Sequence, residues 1–233
     1  MRRAESLTWG LLTLVVLALA LVRVTDWPGY EHLLREDGPI EYLTALLFLG
    51  AAALAAGHAR TRSRTGQGTL LAWLGAVALL WLGGEEISWG QRLVGWDTPP
   101  AIMAVNTHEE TNIHNMVFMQ SRLDFFYVAA GLYGMGGWWL FGLLGRVAPR
   151  AAAAVRRAGG DLAVITRRHA ILFVPIFVYS LAWWALPAAR ESAWLPQVDE
   201  EVVELLFAFG VFLHVLGVAA GSQGVSPGRG LTT

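Results

Sequence analysis

Cysteine and lysine are both missing from this chain, and all 17 of its basic residues are arginine. The first absence rules out disulfides, thiolate nucleophiles and cysteine-ligated metals. The second rules out a Schiff-base or general-base lysine. Charge is also scarce: 15% of the 233 residues are charged, 55% are hydrophobic and the mean hydropathy is +0.47. A soluble domain carries about 25% charged residues, so much of this chain is built for a solvent other than water. With a net charge of −1 there is no basic excess to neutralise phosphates, which excludes nucleic acid as a partner. No G-x-S-x-G elbow, P-loop or H-E-x-x-H pair is present either.

What the chain has instead is a series of apolar runs. Six can be drawn, at residues 7–24, 40–57, 69–87, 125–147, 170–187 and 202–220, each near the roughly 20 residues a helix needs to cross a bilayer. Lipid cannot satisfy free backbone groups, so open-ended spans must be helical. The expected fold is all-α, an integral membrane bundle of six transmembrane helices forming one domain over residues 1–233. Pro175 should kink the fifth span, and Gly131, Gly134, Gly136, Gly137 and Gly142 should let the fourth pack closely. The first run has an alternative. Ala18-Leu19-Ala20 also suits a signal-peptide cleavage site, although apolar residues continue to Val24 as in a retained helix.

The arginines orient the bundle. Twelve of the 17 fall at alternate ends of the spans: Arg2 and Arg3, then Arg60, Arg62 and Arg64, then Arg146, Arg150, Arg156, Arg157, Arg167 and Arg168, with Arg229 in the tail. Arg23, Arg35, Arg92, Arg122 and Arg190 fall opposite. The positive-inside rule then makes both termini cytoplasmic. The basic loop 148–168 should lie along the anionic cytoplasmic leaflet, with His58 and His169 interfacial and His214 hydrogen-bonded inside the bundle. The inner halves of the spans otherwise look almost wholly apolar.

Acids show the reverse bias. Glu5 and Asp161 alone belong to the cytoplasmic side, whereas Glu41, Glu85, Glu86, Asp124, Glu200, Glu201 and Glu204 gather at the outer ends of four spans. Charge at membrane depth is costly and usually faces a partner, the bundle interior or water. If the third helix runs on through GEEISWGQR, then Glu85, Ser88 and Arg92 share a face, Glu86 points elsewhere, and one carboxylate pairs with Arg92. Trp89 and Trp96 suit the aromatic belt. The structural reading is a helix end anchored by a Glu–Arg pair, and the functional one is a polar site at the bundle mouth.

The outer loop 91–121 is long for two neighbouring spans, and such loops are often functional. After Pro99 and Pro100, residues 101–119 should form a short surface helix, with His108, Asn112 and Asn115 on one side and Glu110 and His114 on another. Gln91 joins the polar set. His108, Glu110 and His114, with help from other helices, are the candidate ligands for a divalent metal such as zinc. The alternative is a hydrogen-bonding cap that ties loop backbone to helix ends.

Gly84 to Arg92, the W-x-T-P turn of Trp96, Thr98 and Pro99, and the set Asn106, Glu110, Asn112, His114 and Asn115 resemble a family of uncharacterised multi-pass bacterial membrane proteins. Glu41 and Glu204 fit it as well. The resemblance covers most of the chain, attaches no activity and implies the bacterial inner membrane. Glu109-x-x-Asn112 also resembles the Glu-x-x-Asn motif of the progestin and adipoQ receptors, relatives of the alkaline ceramidases, which are seven-span zinc hydrolases of lipid amides. This chain departs from them in its six expected spans, in lacking H-x-x-x-H in the last span, and in placing His114 two residues after the Asn instead of four.

Three classes of function remain open. An enzyme, a hydrolase or transferase, would act on a lipid or lipid-linked substrate at the outer leaflet. Glu85 or Glu86 would be its general acid/base and Arg92 would hold an anionic head group, while His108, His114 and Asp124 would bind a metal or position water. A transporter would line a path with Glu41, Glu85, Glu204 and His214. A non-catalytic protein would dock a partner through the outer loop.

Overall fold

The computed structural model describes residues 2–186, 188 and 195–223; Pro187, Arg190 and Arg229 lie outside these. The helices are α1 (Arg2–Thr25), α2 (Trp27–Leu33), α3 (Pro39–Arg64), α4 (Leu70–Glu86), α5 (Gln91–Val94), α6 (Pro100–Met103), α7 (Val117–Val147), α8 (Pro149–Arg157), α9 (Val174–Ala185) and α10 (Glu200–Gln223). No strand is found among the described residues, where one isolated bridge joins Asn106 to Met116. Among the described residues five helical segments are long and apolar enough to cross a membrane, or six if α4 and Ser88–Val94, bent by 72°, are taken as one span. Leu70, Leu74, Val77 and Trp81 on α4 and Phe125, Phe126, Leu132 and Trp139 on α7 face outward and exposed. An apolar outer surface is what a lipid solvent selects.

α3 lies at the centre, packed between α4 and α10, while α7 packs on α9. The small side chains Ala45, Ala51, Ala52, Ala55 and Ala59 form its buried face and let the neighbouring backbones come close. Of the five glycines expected to permit such packing on α7, two do. A Cβ on Gly131 would meet Phe177 at 2.6 Å and one on Gly134 would meet Phe173 at 2.0 Å, while Gly136 and Gly142 face open space and Gly137 meets only Tyr133, at 3.4 Å. Pro175 does not kink an α-helix. It sits in the first turn of α9, after a 3-10 turn over Arg167–Phe173, where its missing N–H costs no hydrogen bond. α4 and α7 lean on different partners, so an apolar groove runs between them.

The basic rim differs from expectation. His58, His169 and His214 are 3%, 0% and 1% exposed, so all three are buried within the bundle. His58 Nε2 lies 3.0 Å from Asp161, which also faces Arg62 at 3.6 Å. Glu5 faces His169 at 3.3 Å and Arg168 at 3.0 Å. His214 Nε2 donates to Leu162 O at 3.0 Å, which puts the proton of a neutral ring on that nitrogen. After α8 the chain turns inward, with Leu162 and Ile165 inserted into the core. The ends of the spans on this side are therefore not wholly apolar. Their polar groups are paired.

Candidate functional site

At the acidic rim α4 does not continue through its motif. Ser88, Trp89 and Gly90 take left-handed backbone, with φ of 45°, 56° and 82°, a conformation that costs an ordinary residue about 1–3 kcal/mol. The reversal folds Trp89 back over Gly84, where a Cβ would meet its ring at 2.9 Å. Trp89 Nε1 then donates to Glu85 at 2.9 Å. The other oxygen of Glu85 accepts from Ile113 N at 2.6 Å and His114 N at 3.1 Å, pinning the outer loop to α4.

The loop is not the expected surface helix. Only Pro100–Met103 is helical within 101–119 before α7 begins, because side-chain bonds compete successfully for the backbone. Asn106 Oδ1 accepts from His108 N and Glu110 N, at 3.0 and 3.1 Å. Gln91 donates to Thr98 at 2.7 Å and accepts from Thr111 N at 2.7 Å. Glu110, 1% exposed, forms the hub. It accepts from Ser88 at 2.6 Å, Asn112 at 2.8 Å, Asn115 at 3.2 Å and Arg92 at 3.2 Å. Arg92 completes its pairing with Asp37 at 2.9 Å. The anchoring Glu–Arg pair thus exists, but its acid is Glu110 and not Glu85 or Glu86. The expected division of the loop into two faces fails for the same reason, since Glu110, Asn112 and Asn115 meet in this one network.

Beside this knot lies a cavity of about 330 Å³ lined by six carboxylates, those of Glu36, Glu41, Glu86, Glu200, Glu201 and Glu204, together with His108, His114 and Tyr127. They come from the α2–α3 turn, the ends of α3 and α4, the loop, α7 and the start of α10. Tyr127 donates to Glu204 at 2.5 Å, and Glu41 accepts from Asp37 N. His108 Nε2 lies 3.4 Å from Glu36, and His114 Nδ1 lies 3.8 Å from Glu85. Glu86, Glu200 and Glu201 have no cation paired to them among the described residues, and Glu201 Oε2 is a buried atom without a hydrogen-bond partner.

These charges act on the loop groups around them. Burial pushes Glu36 above the usual carboxylate range and Glu110 adds to it, against the pull of His108 and His114. Asp37 is raised by burial and by Glu110, with Arg92 opposing. For His114 burial works against the charged ring, yet Glu85, Glu204 and Glu36 prevail and raise it.

A second cavity, also about 330 Å³, adjoins the first and has Glu86, His114, Leu123, Tyr127 and Glu204 as the shared wall. Its remaining lining is almost wholly apolar, including Trp81 and Leu82 of α4, Phe126 of α7 and Phe207 of α10. A third, about 420 Å³, continues between α4 and α7 toward the basic rim, and Phe207 borders both. An acidic chamber therefore opens onto an apolar groove facing the surroundings of the bundle.

Of the residues singled out from sequence, Glu41, Glu86, His108, His114, Asn115 and Glu204 line the acidic cavity. Glu85, Ser88, Gln91, Arg92, Glu110 and Asn112 brace the loop behind it. Asp124 is half-buried on α7, outside the lining. The candidate ligands His108, Glu110 and His114 do not converge, because Glu110 is held in the hub while both histidines face the cavity. Among the described residues no three His, Asp or Glu side chains have the arrangement of a metal centre. Glu36, Tyr127, Glu200 and Glu201 were not singled out as site residues. The acidic pattern Glu200, Glu201, Glu204 at one helix start was the visible signal, whereas nothing local marks Glu36 or Tyr127. No family model, curated protein or solved structure matches the chain.

Proposed function

We propose that this chain is a membrane enzyme, a hydrolase or transferase, acting on a lipid or lipid-linked substrate at the outer leaflet of the bacterial inner membrane, with both termini cytoplasmic. One observation carries the reading: Glu86, His114, Leu123, Tyr127 and Glu204 belong at once to the acidic cavity and to the apolar one. An amphiphile lying in the groove would bring the junction of its head and tail to that wall. Polar groups converging beside an apolar pocket are the usual form of a small-molecule site.

In this reading Glu86, with no cation paired to it among the described residues, takes a proton from the attacking nucleophile or returns one to the leaving group. Glu204, held by the Tyr127 hydroxyl, is the second carboxyl. His114, fixed by Glu85 and charged more readily than a free histidine, faces the developing negative charge. Arg92 is given no head-group role in this reading, since it pairs with Asp37 and Glu110 in the loop.

The test is a lipid balance. Purified protein in nanodiscs of total bacterial lipid extract is incubated, and every lipid class is followed by mass spectrometry. Wild type should consume one class that Glu86→Gln and Glu204→Gln leave intact. No change in any class with wild type would refute the proposal.

A further inference from the structure

We infer that the acidic cavity takes a cationic head group, so that the lipid this protein handles carries a primary ammonium. The inference rests on the lipid-enzyme reading above and names its substrate class. Glu86, Glu200 and Glu201 converge on the cavity from α4 and α10 with no counter-cation among the described residues. Carboxylates gathered at one place repel and normally carry partners. At the basic rim every acid has such partners: Glu5 holds Arg168 and His169, and Asp161 holds Arg62 and His58. Among the described residues no arginine lines the cavity here, and Arg92 is turned into the loop hub.

A second observation points to a ligand independently of the acid count. Glu201 lines the cavity, and its Oε2 is buried with no hydrogen-bond donor. A buried carboxyl oxygen left so is costly unless something donates to it. An ammonium brings three donors and a positive charge, and it fits a chamber lined by six carboxylates. A bare metal ion fits less well, because the carboxylates do not approach one another as ligands of one centre. The lipid source follows from the apolar cavity behind the shared wall, which a free amine would leave unfilled. His114 on that wall is the cation beside which a lipid phosphate would rest, one step from the amine.

The experiment uses the full chain in detergent, offered phosphatidylethanolamine and phosphatidylglycerol with identical acyl chains and read by native mass spectrometry. Wild type should hold the amine lipid about tenfold more tightly, a difference of about 1.4 kcal/mol. Glu201→Gln and Glu86→Gln, which keep side-chain shape, should bring the ratio toward one. Glycerophosphoethanolamine, with the same head and no chains, should compete poorly. If it competes as well as the lipid, the ligand is a free amine and the lipid assignment is wrong. Leu82→Trp, which fills the groove, should weaken both lipids equally. Saturable, groove-dependent binding without amine preference would overturn this inference alone. Binding that is absent, or indifferent to Leu82→Trp, would overturn the lipid reading itself.

Discussion

At the basic rim Asp161 sits between His58 and Arg62, and Glu5 between His169 and Arg168; at the acidic rim Glu86, Glu200 and Glu201 face a cavity and no cation among the described residues pairs with them. Both rims take acids out of bulk water, and both draw on several helices. Compensated charge holds helices together, as Arg62 does by donating to Gly68 O, Arg156 O and Arg157 O at 2.9, 3.0 and 3.1 Å. Acids without such partners hold no helices together, and their cost marks them as candidates for a ligand or a reaction. The hub of Glu110 shows that the acidic rim can satisfy a buried carboxylate when structure requires it, which makes the bare acids beside it more telling.

The comparison breaks most visibly at Glu86. Glu86→Gln should lower turnover of the consumed lipid by about 100- to 10,000-fold, while thermal unfolding stays close to wild type because Gln keeps the shape of a side chain that has no cation paired to it among the described residues. A large loss of stability would mean that Glu86 is structural. Glu110→Ala should do the opposite. Stranding Ser88, Asn112, Asn115 and Arg92 around the hub should cost about 3 kcal/mol, seen as a lower denaturation midpoint and as faster hydrogen exchange in residues 91–116. Arg62→Ala should destabilise by about 2 kcal/mol through its lost carbonyl bonds, with the lipid preference unchanged.

The smallest effect is one of sign with pH. Glu36 titrates above its ordinary 4.5 in the folded chain, so its contribution to stability is full below about 4.5 and is lost as pH rises through the raised value. His114, raised above 6.5, likewise contributes fully below about 6.5 and loses that contribution at higher pH. Asp161 is lowered below 3.8, since burial is outweighed by His58 and Arg62, and its contribution is full above about 3.8 and lost as pH falls. Difference curves of stability against pH, wild type minus Glu36→Gln and wild type minus Asp161→Asn, should slope in opposite directions. Parallel slopes would remove the distinction between the rims.

Particular residues show why some of this was readable in advance. The runs 40–57, 69–87 and 202–220 mark α3, α4 and α10 to within a few residues apart from the exposed end of α3, because a membrane helix must be apolar over a length its own geometry sets. The reversal at Ser88–Trp89–Gly90 carried no such mark. It depends on Glu85 reaching Ile113 and His114, and on Ser88 reaching Glu110, contacts 22 to 29 residues apart in sequence. Without those partners GEEISWGQR reads as helix, and with them the left-handed turn is repaid. The pairing of His58 and His169 carried no local mark for a related reason: their acids, Asp161 and Glu5, lie on other segments.

Composition and the spacing of apolar runs therefore determined by themselves that this is an all-helical chain with segments fit to span a membrane, and that most of its acids and most of its arginines gather at opposite ends. Those are properties of each segment against its solvent, and every segment carries them alone. Which carboxylates are buttresses and which stand free in a cavity was decided only by tertiary structure. A charge is satisfied or left bare by what neighbouring helices bring to it, and no stretch of sequence contains its neighbours.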